Sequence, residues 1–435
     1  MTNQATGKFG EFLKEAYTVA DMQRLLGFLH ESGVFQFNGF SSGLFPAVGK
    51  GSAAEETSGY RAAWVRDNVH IAYAHLVCGE AAVAGRCVAT IADVYLKHLE
   101  WFTDVLEGRK SAEMPMNRPH IRFNGETASV IAEKWPHAQN DALGAFMWLL
   151  CKVIVNEPDE TAARKWVERY AGLLWVMTRY FEKIEFWQDE DSGHWEEQRK
   201  ISASSIGVVV AGLTQYCNLI RTYSTGDETA VRHRLTMVEA LCLRGQTALN
   251  QILPMECRQP HPRKYREYDG ALLFLLDPFE VVSEPLAGEI VKNVTEHLKG
   301  DSGIRRYLLD SYWGPDYREV PPAVRTTDFS TSLIKRDAYA VNGKEAQWCI
   351  FDSVISMYFG RKYQQEKRPL YLENQTAYLN RALTQMVETG DGRLVIPEAY
   401  FLEKGKYVPN DHAPLQWAHA NLWRAVNAMK KSCMS

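Results

Sequence analysis

The stretch Ala138-Gln-Asn-Asp-Ala-Leu-Gly-Ala-Phe-Met-Trp-Leu-Leu-Cys-Lys-Val-Ile-Val-Asn156 sets Leu143, Phe146, Met147, Leu150 and Ile154 three and four residues apart, the period of one helix face. Asn140 or Asp141 can cap its start. Residues 160–182 repeat the pattern with Trp166, Tyr170, Leu173, Leu174 and Met177. Residues 345–362 do so again with Trp348, Phe351, Ile355, Tyr358 and Phe359. The same reading predicts helices near 10–31, 62–78, 82–107, 138–156, 160–182, 204–223, 228–252, 267–277, 284–299, 345–362, 368–388 and 413–430, about twelve in all.

The connections differ in length. Those near 80, 158, 226 and 365 are short, whereas those at 32–61, 108–137, 183–203, 300–344 and 389–412 are long. Long loops in a compact fold usually carry function. If successive helices alternate in direction, every second connection falls at the same end. The expectation is an all-α barrel, (α/α)6, with six inner and six outer helices and a pocket at one end. No stretch rich in Pro, Gly or Ser divides the chain, so residues 1–435 are expected to form one domain. Its site loops are placed near 32–67, 108–141, 183–203, 300–344 and 389–417.

With 46% hydrophobic residues in 435, a large core is available. The 49 Lys and Arg against 53 Asp and Glu are interspersed, leaving a net charge of -4. Nothing in that balance attracts nucleic acid or an anionic membrane. No run approaches the ~18 apolar residues of a membrane span, and the N-terminal residues do not read as a secretion signal. Cysteines 78, 87, 151, 217, 242, 257, 349 and 433 form no C-x-x-C pair, which favours buried thiols and a cytoplasmic location. Val48-Gly-Lys-Gly-Ser-Ala-Ala54 lacks the strand and βαβ setting of a dinucleotide site. Neither a Walker loop nor H-E-x-x-H occurs, and His120, His137, His412 and His419 are dispersed. No cofactor and no metal are expected.

Two segments hold carboxylates among aromatics: Gly193-His194-Trp195-Glu196-Glu197 and Ile396-Pro397-Glu398-Ala399-Tyr400. Two carboxyl groups flanking one bond are the minimal equipment for glycoside hydrolysis, one protonated for the leaving oxygen and one ionised for water. Arg66-Asp67 can hydrogen-bond neighbouring sugar hydroxyls, and Trp64, Trp135, Trp195 and Trp417 can stack on pyranose faces. Each feature also has an ordinary reading: a solvated turn, a salt bridge at a helix start, core tryptophans.

Taken in order, Trp64-Val65-Arg66-Asp67-Asn68, Gln139-Asn140-Asp141, Trp195-Glu196-Glu197, Arg306-Tyr307, Pro397-Glu398 and Leu415-Gln416-Trp417-Ala418-His419-Ala420 resemble the motifs of glycoside hydrolase family 15. This is the glucoamylase family, which shares its domain with the α and β subunits of phosphorylase kinase. Ser42-Gly43-Leu44-Phe45-Pro46-Ala47 and Ser202-Ala203-Ser204-Ser205-Ile206-Gly207 look closer to the kinase-subunit branch. The resemblance implies an (α/α)6 barrel that releases glucose, with inversion, from the non-reducing end of an α-glucoside or oligosaccharide. It implies Glu196 as general acid and Glu398 as general base, with carboxyl groups ~6.5–9.5 Å apart. Arg66 and Asp67 match the pair that binds the terminal glucose, and Arg306 matches an arginine on sugar hydroxyls, with Arg305 as its neighbour. Tyr60 matches a tyrosine near the base, Trp135 a residue of the aglycone side, Glu197 an acid of the adjoining subsite, and Trp417 a support for the general acid. No starch-binding domain is expected beside the barrel, so short soluble glucosides are the expected substrates. The alternatives are a silent carbohydrate-binding regulator of the kinase-subunit type, or another sugar enzyme on the same barrel.

Overall fold

In the computed structural model the described residues are 10–49, 62–223, 227–321, 324–325 and 331–435, the side chains of 331–333 excepted; Tyr60 lies outside them. In chain order the helices are α1 (Val19–Glu31), α2 (Val65–Val77), α3 (Ala81–Lys97), α4 (Glu100–Leu106), α5 (Asn140–Val155), α6 (Glu160–Lys183), α7 (Ala203–Tyr223), α8 (Glu228–Ile252), α9 (Leu286–His297), α10 (Thr331–Asp337), α11 (Phe351–Glu366), α12 (Pro369–Thr384) and α13 (Gln416–Cys433).

Burial sorts them into two rings. α2, α5, α7, α11 and α13 have long buried stretches that reach round the helix, so each must be walled on all sides. They close a ring in the order α13, α2, α5, α7, the 3-10 turn Gly270–Leu275, α11 and back to α13. Helices α3, α6, α8, α9, α12 and α1 pack outside it: α3, α6 and α12 each bridge two inner members, and α8, α9 and α1 each lie against one. These outer helices are amphipathic: α6 buries Ala163, Tyr170, Leu173, Leu174, Met177 and Phe181, and Asp159 caps its start by accepting from the Thr161 amide at 2.9 Å. The expected (α/α)6 barrel is therefore present.

The tightest seam joins α5 to α7. A Cβ on Gly144 would lie 2.8 Å from the Val209 backbone, and one on Gly212 would lie 2.6 Å from the Gly144 carbonyl oxygen. Backbone cannot yield as a flexible side chain can. Gly144→Ala should therefore destabilise the protein by about 1–3 kcal/mol, read as a lower midpoint of urea unfolding. An unchanged midpoint would mean that the seam opens without cost.

Three local expectations change. The first helix starts at Val19 rather than near residue 10, because Thr18 and Asp21 form a reciprocal capping box. The segment 82–107 breaks at His98–Leu99 into α3 and α4. The sixth inner member, expected over 267–277, is only a 3-10 turn; Asp269 accepts from the Ala271 amide at its start, and Pro278 disfavours a helical Asp277 at its end.

Short strands lie in the loops and also replace the ends of three expected helices: Ala62–Trp64 in 62–78, Gln347–Trp348 in 345–362, where Trp348 is expected on a helix face, and Val387–Glu388 in 368–388. β1 (Ala62–Trp64) pairs antiparallel with β2 (Arg122–Asn124), setting Trp64 opposite Arg122. β3 (Ile304–Arg305), β4 (Gln347–Trp348), β7 (Ala399–Glu403) and β8 (Lys406–Pro409) form an antiparallel sheet in the order β3-β4-β7-β8, while β5 (Val387–Glu388) pairs with β6 (Leu394–Val395). Strands of two to five residues are too short to show an alternating pattern.

The architecture positions the site. Every long connection runs from an outer member to the start of an inner one, so the five anticipated loops share one end of the barrel. A sixth joins them: residues 253–269, between α8 and the 3-10 turn.

Candidate active site

Glu196 and Glu398 lie in loops from opposite halves of the ring that emerge at the same end of the barrel. Arg66 and Asp67 occupy the first turn of α2, where an acid is favoured by the helix dipole. Arg66 is buried and held through each of its nitrogens: Nε donates to Asp141 Oδ2 at 3.1 Å, Nη2 to Gln139 Oε1 at 2.5 Å and Nη1 to the His194 carbonyl at 2.8 Å. Its Nη2 also lies 3.6 Å from Glu196 Oε1. One guanidinium thus ties the starts of α2 and α5 to the loop that carries Glu196.

That loop contains an unusual backbone. Gly193–Trp195 form a 3-10 turn that ends with Glu196 in the left-handed region, at φ 59° and ψ 42°. A non-glycine residue held there stores strain, a pattern found at functional sites. The reversal sends Glu196 and Glu197 to different surroundings. Glu196 reaches Arg66; within the ring Trp417 stacks on His70 at 4.4 Å, Phe274 lies 5.1 Å from Trp417, and His194 stacks on Phe274 at 5.4 Å. Burial raises the Glu196 carboxyl to about 7; Arg66 and Arg122 oppose the rise, and Asp67 and Asp141 add to it. A carboxyl that keeps its proton near neutrality is suited to protonating a leaving group.

Glu197 has the opposite fate. Arg266 Nη1 and Nη2 donate to its two oxygens at 3.1 and 3.2 Å, and the Tyr307 hydroxyl donates to Oε2. Burial by itself would raise this carboxyl, but Arg266 and then Lys200 hold it well below the usual range. Arg266 also reaches Asp269 at 3.2 Å, and Asp269 accepts from the Trp195 indole at 2.8 Å. The geometry makes Glu197 an anchor that clamps the 193–197 turn to the sixth loop. Removing one partner strands a buried charge, so Arg266→Met should destabilise by about 3–5 kcal/mol. The depressed carboxyl contributes stability above its unfolded value, near pH 4.5, and loses it only as pH falls toward its folded value. Wild-type midpoints should therefore drop in strong acid while those of Arg266→Met fall less, a difference that urea unfolding against pH would show or refute.

Glu398 lies between β6 and β7 and is buried. Asn410 Nδ2 donates to its Oε2 at 3.0 Å, and His412 Nδ1 is 2.7 Å from the same oxygen. The Glu398 amide donates to the His412 carbonyl, and the Cys349 amide donates to the Glu398 carbonyl, which fixes the residue between β4 and the segment after β8. Asp67 links the two acids. Burial raises its carboxyl to about 6 against the pull of Arg66, and the charge of Glu398 adds to the rise. Asp67 in turn acts on Glu196. Asp67 thus lies within electrostatic reach of both Glu398 and Glu196.

Arg306 is held by Asp310, which accepts from Nε at 2.6 Å and from Nη2 at 2.8 Å. It is caged by the rings of Trp348, Tyr312 and Trp195 at 4.6, 5.1 and 5.2 Å. Its neighbour Arg305 turns elsewhere: it donates to the carbonyls of Leu298, Lys299 and Gly343 and pairs with Glu345 at 3.2 Å. The structure therefore ties Arg305 to the 298–345 loop and does not bring it to the acid pair. Trp64 and Trp135 meet edge to face at 5.0 Å.

Gln139, Asp141, Asn410, His412, Arg266 and Asp269 are site residues that sequence reasoning does not single out. Gln139 and Asp141 are visible in a motif. Arg266 and Asp269 belong to a loop whose length is hidden by the helix expected over 267–277. Among the described residues, no group of three or more His, Cys, Asp or Glu is placed to hold a metal ion.

Comparison with known proteins adds an independent line. The chain is 24% identical over 275 residues, 58% of its length, to a probable phosphorylase b kinase regulatory subunit alpha of Caenorhabditis elegans; the match spans 21% of that relative. Its fold is similar to that of a glycosidase variant solved in complex with glucose (TM-score 0.65, 17% identity, 94% of this chain and 97% of that chain). It is also similar to the glucoamylase from Saccharomycopsis fibuligera (TM-score 0.61, 11% identity, 96% of this chain and 97% of that chain). The profile of glycosyl hydrolases family 15 matches residues 29–427. With nearly the whole chain matched, the protein belongs to glycosyl hydrolases family 15, a family of inverting glycoside hydrolases.

Proposed function

We propose that the protein is an exo-acting, inverting α-glucosidase that releases glucose from the non-reducing end of a short soluble α-glucoside or oligosaccharide. The observation that carries this reading is the unequal environment of two acids whose loops share one end of the barrel: Glu196, raised to about 7 by burial, and Glu398, held by Asn410 and His412. In this mechanism Glu196 gives its proton to the glycosidic oxygen as the C1–O bond breaks. Glu398 accepts a proton from the water that attacks C1 from the opposite face. Arg66 and Asp67 orient the terminal ring, and the Arg306 cage flanks it. The eight free cysteines support a reducing, cytoplasmic setting.

A second reading has its own observation. The curated relative is a kinase regulatory subunit, so the barrel can be read as a sugar-binding regulator without turnover. Glucose release from maltose, maltotriose, isomaltose, isomaltotriose and trehalose separates the two. Release of β-glucose from any of them establishes the glucosidase and its linkage. Binding without release across the panel, with or without added phosphate, would favour the regulator.

A further inference from the structure

The mouth of the site carries a cation that the mechanism above does not use. Arg122 stands on β2 opposite Trp64 and is only 2% exposed. Its guanidinium carbon lies 3.9 Å from the Trp135 ring centroid and 5.4 Å from that of Trp64. Nη2 donates to Glu133 Oε2 at 2.6 Å, and the buried Nε has no hydrogen-bond partner. The Glu133 side chain is 68% exposed. The counter-charge therefore sits in water, where an ion pair is weakly held.

Exposure also gives the pocket a direction. Arg66, Glu398 and Trp417 are buried at its closed end; Trp64 and Trp135 are half-buried, and Glu133 is open to solvent. On the glucosidase reading, the terminal glucosyl ring is assigned to the closed end. The oxygen protonated by Glu196, and the group attached to it, must then lie on the open side. That group leaves past Trp64, Trp135 and Arg122, and the charge of Arg122 already reaches Glu196.

We propose that Arg122 and Glu133 form a charge gate that selects leaving groups bearing an anion, a carboxylate or a phosphate monoester. The anion takes the place of Glu133 on the guanidinium, while the uncharged part of the leaving group lies against Trp64 and Trp135. The bond broken and the proton transfers are those of ordinary hydrolysis; only the leaving group is specified. This inference rests on the glucosidase reading.

The test compares matched pairs that differ in charge: maltobionate with maltitol, and trehalose 6-phosphate with trehalose. Wild type should favour an anionic member by ~10-fold or more in kcat/KM, as expected for a charge-assisted contact. Glu133→Gln should widen that preference. Arg122→Gln should erase it. Preference in only one pair identifies the carboxylate or the phosphate as the recognised anion. No preference in wild type, or a preference that survives Arg122→Gln, overturns the gate. Failure of the glucosidase reading looks different: no member of either pair is cleaved. The gate is then judged by calorimetric binding of the same sugars to the same three proteins, where equal affinity for charged and neutral members overturns it.

Discussion

Glu196→Gln should reduce kcat on a maltose-type substrate by ~10²–10⁴-fold, the usual contribution of a general acid, while ground-state binding changes little. The amide keeps the shape and hydrogen-bonding reach of the side chain but has no proton to give. A second signature is the pH profile. In the proposed mechanism turnover needs protonated Glu196, so it should fall as pH rises through about 7, where burial has placed this group; the variant should lack that limb. A third signature comes from the leaving group. α-Glucosyl fluoride departs without protonation, so the variant should hydrolyse it far better than maltose relative to wild type. A normal rate on maltose, or an equal loss on both substrates, would remove Glu196 from the acid role.

Glu398→Gln should be equally damaging, ~10²-fold or more, but without the fluoride rescue. Water must still be activated whatever the leaving group, and an amide cannot accept its proton. Asn410 and His412, which now hold Oε2 of Glu398, retain a side-chain oxygen to contact, so the fold should survive with an unchanged unfolding midpoint. Product analysis completes the argument: water delivered from the face opposite the departing oxygen gives β-glucose from an α-glucoside. First-formed α-glucose would contradict the inverting assignment, and comparable loss of fluoride hydrolysis in both variants would erase the division of roles.

Much of this site was legible because its motifs adjoin helix starts. Arg66-Asp67 opens α2, Gln139 precedes α5, and Trp417 lies in the first turn of α13. A change from helical periodicity to an irregular loop is a local signal, so the five loops and their common end could be anticipated. The sixth could not, because Leu272–Leu276 read as part of a helix, and the brevity of the turn follows from Asp269 and Pro278 acting in context.

The distinction between neighbouring acids was less accessible. Glu196 and Glu197 are the same residue type in adjacent positions. One is raised to about 7 and the other is depressed, because the left-handed turn at Glu196 points them at different partners. Those partners, Arg66 for one and Arg266 with Tyr307 for the other, lie far away in the chain. Arg305 and Arg306 show the same effect: adjacent arginines of which only Arg306 enters the cage of Trp195, Tyr312 and Trp348.

The sequence by itself determined the helices, their alternation around a barrel, and the ordered motifs of the family, since periodicity, capping and turn chemistry act over a few residues. Only the tertiary structure decided which carboxyl is raised by burial, which is clamped by Arg266, and which arginine is stacked on Trp64 and Trp135. Burial and charge act through space over several ångströms, and in this fold that space is filled by residues from six different loops.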